Sequence, residues 1–220
     1  MNMEILCERV NKSFSARKAL DSVSFHVCAN SVAILGLNAA GKSTLLRIFA
    51  TILKPDGGTI SINGLDILRD YRKLRQIMAF VPETSFLIEE LSAVENIRHF
   101  STLRKVRVDP SEIIQKFSIS PAKKPARTLS KGMKQRLMIA IALIGKPELL
   151  ILDEPTTGLD REAKMALIEI LSGMRNQGTS IILSTHSEKE VREIADSVVV
   201  LEKGKVLLYG STDQVLKDLT

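Results

Sequence analysis

The chain has 220 residues, enough for one sizeable α/β domain carrying a small subdomain. Its composition, 45% hydrophobic and 25% charged, excludes a disordered or fibrous chain, and no run approaches the roughly 18 apolar residues of a membrane-crossing helix. The net charge of +6 suits phosphates or an anionic surface, but aromatic residues rarely interleave with the basic ones and no helix-turn-helix or zinc pattern occurs; no nucleic acid is expected.

In chain order, "MNMEILCERV" lacks the charged-then-apolar layout of a signal peptide, so a cytoplasmic location is expected. The runs "MEILCERV", "SVSFHV" and "GTISING" are short strands separated by turn signals and predict an antiparallel layer. Cys7 and Cys28 fall in this apolar region without a C-x-x-C partner and read as small buried hydrophobes; with His26 and His99 they show no metal-ligand spacing. "SVAILGLNAAGKSTLLRIFATIL" predicts a strand, a glycine-containing loop and an amphipathic helix that ends before Pro55. "IMAFVPE" is a further short strand stopped by Pro82.

Between residues 84 and 145 the pattern turns helical, in "SAVENIRHFSTLRKV", "PSEIIQKF" and "LSKGMKQRLMIAIALIG". In the last of these Met133, Leu137, Met138, Ile141 and Ile144 recur at helical spacing. Alternation of strand and helix then returns: "LLILDE" is a buried strand, 161–176 an amphipathic helix and "GTSIILSTH" a second buried strand. "SEKEVREIAD" is a helix capped near Ser187 or Glu188, and "SVVVLEKGKVLLYG" a hairpin.

"GLNAAGKST", Gly36 to Thr44, fits G-x-x-x-x-G-K-[ST] between a strand and a helix. Backbone N–H groups of residues 38–44 can converge on phosphates, Lys42 can place a cation on the β/γ oxygens, and the Ser43 hydroxyl can ligate Mg²⁺. The substrate is therefore expected to be a nucleoside triphosphate. In "LLILDE" four apolar residues force a buried strand, leaving Asp153 and Glu154 at its exposed end. Asp153 can hold Mg²⁺ directly or through water, and Glu154 can orient and deprotonate an attacking water. His186 ends the next strand on the same edge, within reach of a γ-phosphate.

These motifs predict a P-loop NTPase core of the α/β class, with a mainly parallel sheet, an N-terminal antiparallel β layer and an inserted helical subdomain. One domain spans 1–220, its core formed by 1–83 and 146–220 and its helical part by 84–145. A second anion site is unexplained by this scheme. The helix in "LSKGMKQR" opens at Ser130, Lys131 and Gly132 with free backbone N–H groups and a positive charge.

In that order, "GLNAAGKST", "LSKGMKQR", "LLILDEPTTGLD" and "STH" resemble the ATP-binding subunit of an ABC transporter, from the strand before Phe14 to the hairpin at 204. The resemblance implies a homodimer or pseudo-dimer packed head to tail. Each ATP would lie between the loop Gly36, Leu37, Asn38, Ala39, Ala40, Gly41, Lys42, Ser43 and Thr44 of one copy and the signature helix of the other. Ser130 and Gly132 would meet the γ-phosphate, and the second anion site would serve the neighbour. The resemblance further implies adenine stacking on Phe14, an interface-crossing loop at Asp160, and catalytic roles for Lys42, Glu154 and His186. Mg²⁺ would be held by Ser43, Asp153 and Glu83. The implied partners are polytopic membrane subunits, with the chain peripheral on the cytoplasmic face of the membrane.

Several positions depart from that pattern. Ala39 stands where the loop often has Gly, which is tolerated where the backbone does not need positive φ. Lys131 replaces a Gly of the LSGGQ string, and Met133, Lys134 and Gln135 alter its ending. Glu83, in "FVPE", stands where most members have Gln; a carboxylate can still ligate Mg²⁺ but adds negative charge. Chains with this combination mostly pair with separate exporter subunits, so export is the expected direction. Two alternatives are a soluble ABC-type ATPase of DNA repair or translation, which normally carries two modules or a long coiled coil, and a non-catalytic nucleotide sensor. Intact Lys42, Asp153, Glu154 and His186 speak against the sensor.

Overall fold

The computed structural model describes residues 2–219. Strands β1 (Met3–Phe14) and β2 (Arg17–Ala29) form an antiparallel hairpin whose residues alternate between core and solvent. Val23, Phe25, Val27 and Ala29 of β2 face inward, which turns His26 and Cys28 outward. Cys7 is buried as expected, but Cys28 is exposed, a correction that follows from this period of two. Strand β3 (Ser31–Leu35) is buried along its whole length and runs through the loop into helix α1 (Lys42–Phe49). Strands β4 (Gly57–Ile62) and β5 (Leu65–Asp66) complete a four-stranded antiparallel sheet of order β2-β1-β4-β5.

Helix α2 (Tyr71–Ile77) precedes β6 (Met78–Val81). Helix α3 (Ala93–Leu103) opens on a capping box in which Ser92 and Glu95 satisfy each other's backbone N–H groups, and α4 (Pro110–Lys116) is capped by Asp109 with proline at its first position. Helix α5 (Lys131–Ala142) leads to β7 (Leu149–Leu152), α6 (Arg161–Asn176), β8 (Ser180–Thr185), α7 (Glu188–Ile194), β9 (Ser197–Glu202), β10 (Lys205–Ser211) and α8 (Thr212–Asp218). The larger sheet has the order β10-β9-β3-β8-β7-β6. All its pairings are parallel except β10 with β9, which is the hairpin read from "LEKGKV".

The parallel strands are apolar on both faces because both faces are covered. Val32, Ile34, Ile151, Ile182 and Val199 join α1 and the antiparallel sheet in one core. Ala33, Leu35, Leu150, Leu152, Ile181 and Leu183 join α3, α5, α6 and α7 in the other. Each fully buried Leu or Ile there contributes about 1.5–3 kcal/mol relative to exposure. Between β6 and β7 the chain forms α3, α4 and α5, and α5 buries Leu137, Met138, Ile139, Ile141 and their neighbours against the sheet.

Candidate functional site

Gly36 to Gly41 carry the chain from the end of β3 into α1. Two backbone positions shape that loop. Gly41 has φ +106°, and a Cβ there would stand 2.6 Å from the Ala19 carbonyl oxygen. Ala39 has φ +64°, so the condition under which its methyl group is free of strain is not met; the left-handed backbone costs about 1 kcal/mol. Lys42, only 5% exposed, donates from Nζ to the carbonyl oxygens of Gly36 (2.7 Å) and Leu37 (3.1 Å). Its Nζ also lies 3.0 Å from Glu154 Oε1.

Asp153 and Glu154 follow β7 and part in different directions. Asp153 is fully buried; its Oδ1 accepts from Ser43 Oγ (2.9 Å) and Ser184 Oγ (2.7 Å). Its Oδ2 is buried with no partner among the described residues, although a buried carboxylate oxygen is costly to leave unsatisfied. Glu154 sits at φ +46°, a strained value for a side-chain-bearing residue and one of the kind found at functional sites. Its N–H donates to Ser184 Oγ (2.8 Å), and its Oε2 accepts from Thr157 Oγ1 (2.8 Å) and lies 3.1 Å from His186 Nδ1. Burial pushes the Glu154 carboxyl up, but hydrogen bonds from Lys42 and Thr157, the Lys42 charge and the His186 contact outweigh it, holding it below the usual carboxylate range.

Lys42, Ser43, Glu154, Thr157 and His186 open onto one cleft of about 590 Å³, whereas Asp153 and Ser184 are buried and do not line it. Asn38, Ala39, Gly41, Lys42, Ser43 and Thr44 line it together with Glu154, Thr157 and His186, and Glu83 and Phe14 also border it. Phe14 is half-exposed rather than a core residue, and Lys12 Nζ stands 5.6 Å from its ring centre. Glu83 is exposed. Gly36, Leu37 and Ala40 stand back from the cleft: Gly36 and Leu37 supply carbonyls to Lys42, and Ala40 is buried.

Ser130, Gly132 and Asp160 are not brought to this cleft. Ser130 Oγ accepts from Met133 N–H (3.2 Å) and Asp160 from Ala163 N–H (2.8 Å), each capping its own helix. The starts of α5 and α6 lie side by side, so close that a Cβ on Gly132 would meet Ala163 Cβ at 2.8 Å. Sequence reasoning missed Arg17, whose guanidinium reaches the Ala39 carbonyl at 3.5 Å on the cleft wall, and Ser184, which ties the two carboxylate residues together. Ser184 lies inside the quoted "STH" string; Arg17 left no comparable signal.

A lysine-bearing loop at the carboxyl end of a parallel strand, with a buried carboxylate on the serine that follows the lysine, defines a P-loop nucleoside triphosphatase. Residues 20–157 match the ABC transporter family model. The chain is 33% identical over 218 residues to a daunorubicin resistance ATP-binding protein of Streptomyces coeruleorubidus, covering 96% of this chain and 69% of that one. It is 37% identical over 218 residues to a Nod factor export ATP-binding protein of Rhizobium sp. (strain N33), covering 95% and 71%. A bacterial ABC transporter cassette solved as a dimer superposes with a TM-score of 0.82 at 25% identity, over 94% of this chain and 98% of the other. The chain belongs to the ABC transporter family, among its ATP-binding subunits. Such subunits are ATPases that power transport, and neither of these relatives favours a role in DNA repair or translation.

Proposed function

We propose that this chain is the ATP-hydrolysing subunit of an exporter, working as a homodimer or pseudo-dimer beneath polytopic membrane subunits on the cytoplasmic face of the membrane. Export is supported by the relatives, one named for drug resistance and one for export of a Nod factor. Dimerisation is supported by the similar cassette solved as a dimer. Among the described residues no helix is long and apolar enough to cross a membrane, in keeping with separate membrane partners. Those partners would dock in a groove between the core and residues 84–105.

The observation that carries the reading is the 3.0 Å pair of Lys42 and Glu154 at the start of α1. Lys42 balances Glu154 within the chain and is the cation aimed at the phosphate loop. As ATP binds, Lys42 turns to the β/γ oxygens, and the released Glu154 carboxylate takes the proton of the attacking water. His186, already on Glu154 Oε2, holds the γ-phosphate and the water in line. Phe14 stacks on adenine. Ser130 and Gly132 of the second copy cap the triphosphate, and Asp160 crosses between the copies. The residues present fit Mg²⁺: Asp153 Oδ2 is a buried oxygen without a partner among the described residues, the Ser43 hydroxyl stands on the same carboxylate, and Glu83 borders the cleft. The ion would screen the charge of the transferred phosphate.

Glu154→Gln keeps the shape but cannot accept the proton. Steady-state phosphate release is expected to fall by about 10²–10⁴, with ATP binding retained. Turnover at the parental rate would remove Glu154 from the role of base.

A further inference from the structure

The pairing of β7 with β8 ends at Leu152 opposite Leu183. Glu154 and His186 therefore lie beyond the last ladder rung, and their 3.1 Å contact depends on other ties. One tie is the Ser184 hydroxyl under the Glu154 N–H. Thr185, beside His186, is also held by its pairing with Leu35 of β3, and a further tie is Glu190, a buried carboxylate on α7 that does not border the cleft.

Glu190 Oε2 accepts from Thr156 Oγ1 and from Thr185 Oγ1, both at 2.6 Å, and Oε1 lies 3.3 Å from Lys164 Nζ. Thr185 Oγ1 in turn accepts from the Ser187 N–H at 3.1 Å. Thr156 stands two residues after Glu154, and Thr185 directly precedes His186. Lys164 lies in the first turn of α6, where its own N–H donates to the Asp160 carbonyl. A buried carboxylate costs several kcal/mol to desolvate, and an aliphatic side chain would serve packing alone at least as well. Glu190 thus ties together the turn at Thr156 that follows β7, the end of β8 at Thr185 and the first turn of α6 at Lys164, and the first of these adjoins the strained Glu154 backbone.

We propose that Glu190 is a positioning residue for ATP hydrolysis. Through Thr156 and Thr185 it fixes Glu154 and His186 in the register turnover requires, and through Lys164 it ties both to the turn bearing Asp160. The inference rests on the reading of Glu154 as base and deepens it.

The test replaces both threonines by valine, which keeps their shape and removes the two donors, and in a second variant by serine, which restores them. Purified chains are compared for ATP turnover, KM for ATP and thermal midpoint, with Glu154→Gln in parallel. The valine pair should lower kcat about ten- to hundredfold with KM within twofold of the parent, and the serine pair should recover most of it. An unchanged kcat in the valine pair, with Glu154→Gln inactive, overturns the proposal. So does an equal loss in both pairs together with a lowered midpoint and a raised KM, which marks a structural role. Should the valine pair fail to fold, Glu190→Gln gives the same readout, with the same kcat loss at constant KM expected and an unchanged kcat overturning the proposal. Parental turnover in Glu154→Gln would instead remove the underlying reading of the base, and Glu190's role with it.

Discussion

The starts of α1 and α5 are both helix N-termini that carry a lysine, and they are built in opposite ways. Lys42 is buried, held by two carbonyls and balanced by Glu154, and the residues around it border a cleft. Lys131 is exposed, its amine laid over Gly158, and the hydroxyl beside it is occupied in capping its own helix. The first terminus is a seat whose charges are settled within one chain. The second carries surplus positive charge on a surface, which a phosphate from another copy would neutralise. On the proposed reading, similar local chemistry serves two purposes, and the partners around each lysine tell them apart.

Four variants would break or sharpen that contrast. The largest effect is expected for Lys42→Ala, which should weaken ATP binding to the single chain about 10²–10³-fold by equilibrium titration. The same variant tests the internal balance. Because the folded Glu154 pKa lies below its ordinary value of 4.5, its pairing stabilises the fold above that pH and is lost as pH falls through the depressed value. Thermal midpoints measured down the acid limb should fall less steeply in Lys42→Ala than in the parent. Next comes Gly132→Val, which pushes α5 from Ala163 and should lower turnover about thirtyfold while one copy still binds ATP within twofold of the parent. A large loss of binding would mean that the two termini are not independent.

Phe14→Ala should weaken ATP about tenfold, through loss of a stacking surface at the rim of the seat. An equal loss for inorganic triphosphate would sink the stacking role. The smallest effect is expected for Ala39→Gly, which relieves a left-handed backbone and should raise stability by about 1 kcal/mol or less in thermal denaturation.

Much of the architecture was legible because the buried parallel strands are unbroken apolar runs and the phosphate loop has fixed glycine and lysine spacing. The helix 161–176 and the hairpin turned at Lys203–Gly204 follow directly from periodicity and turn chemistry. Helices α2 and α8, each of seven residues, were missed: neither start is held by a side-chain cap, whereas the equally short α4 and α7 are capped by Asp109 and Ser187. Cys28 lies among apolar neighbours that suggest burial, but the alternation of β2 turns it outward. In the site, Lys42 was legible from the loop motif, and Asp153, Glu154 and His186 from their places after strand ends. Their mutual contacts were not, since they depend on backbone angles such as those at Ala39 and Glu154 that no residue type announces. Ser184, Thr156, Thr185 and Glu190 escaped for a related reason: a hydroxyl that secures a neighbour looks in sequence like any polar residue.

Strand β8 sits between β3 and β7, yet it is made after both. On the ribosome, the lysine loop and the paired carboxylates emerge with nothing to hold them at their proper separation. Only when residues 180–185 slip into the gap, like a keystone, do Ser43 and Asp153 come within reach of each other across 110 residues of chain. Nascent chains should therefore gain nucleotide affinity abruptly and late, and such long-range closure is the slow part of assembling a fold of this kind.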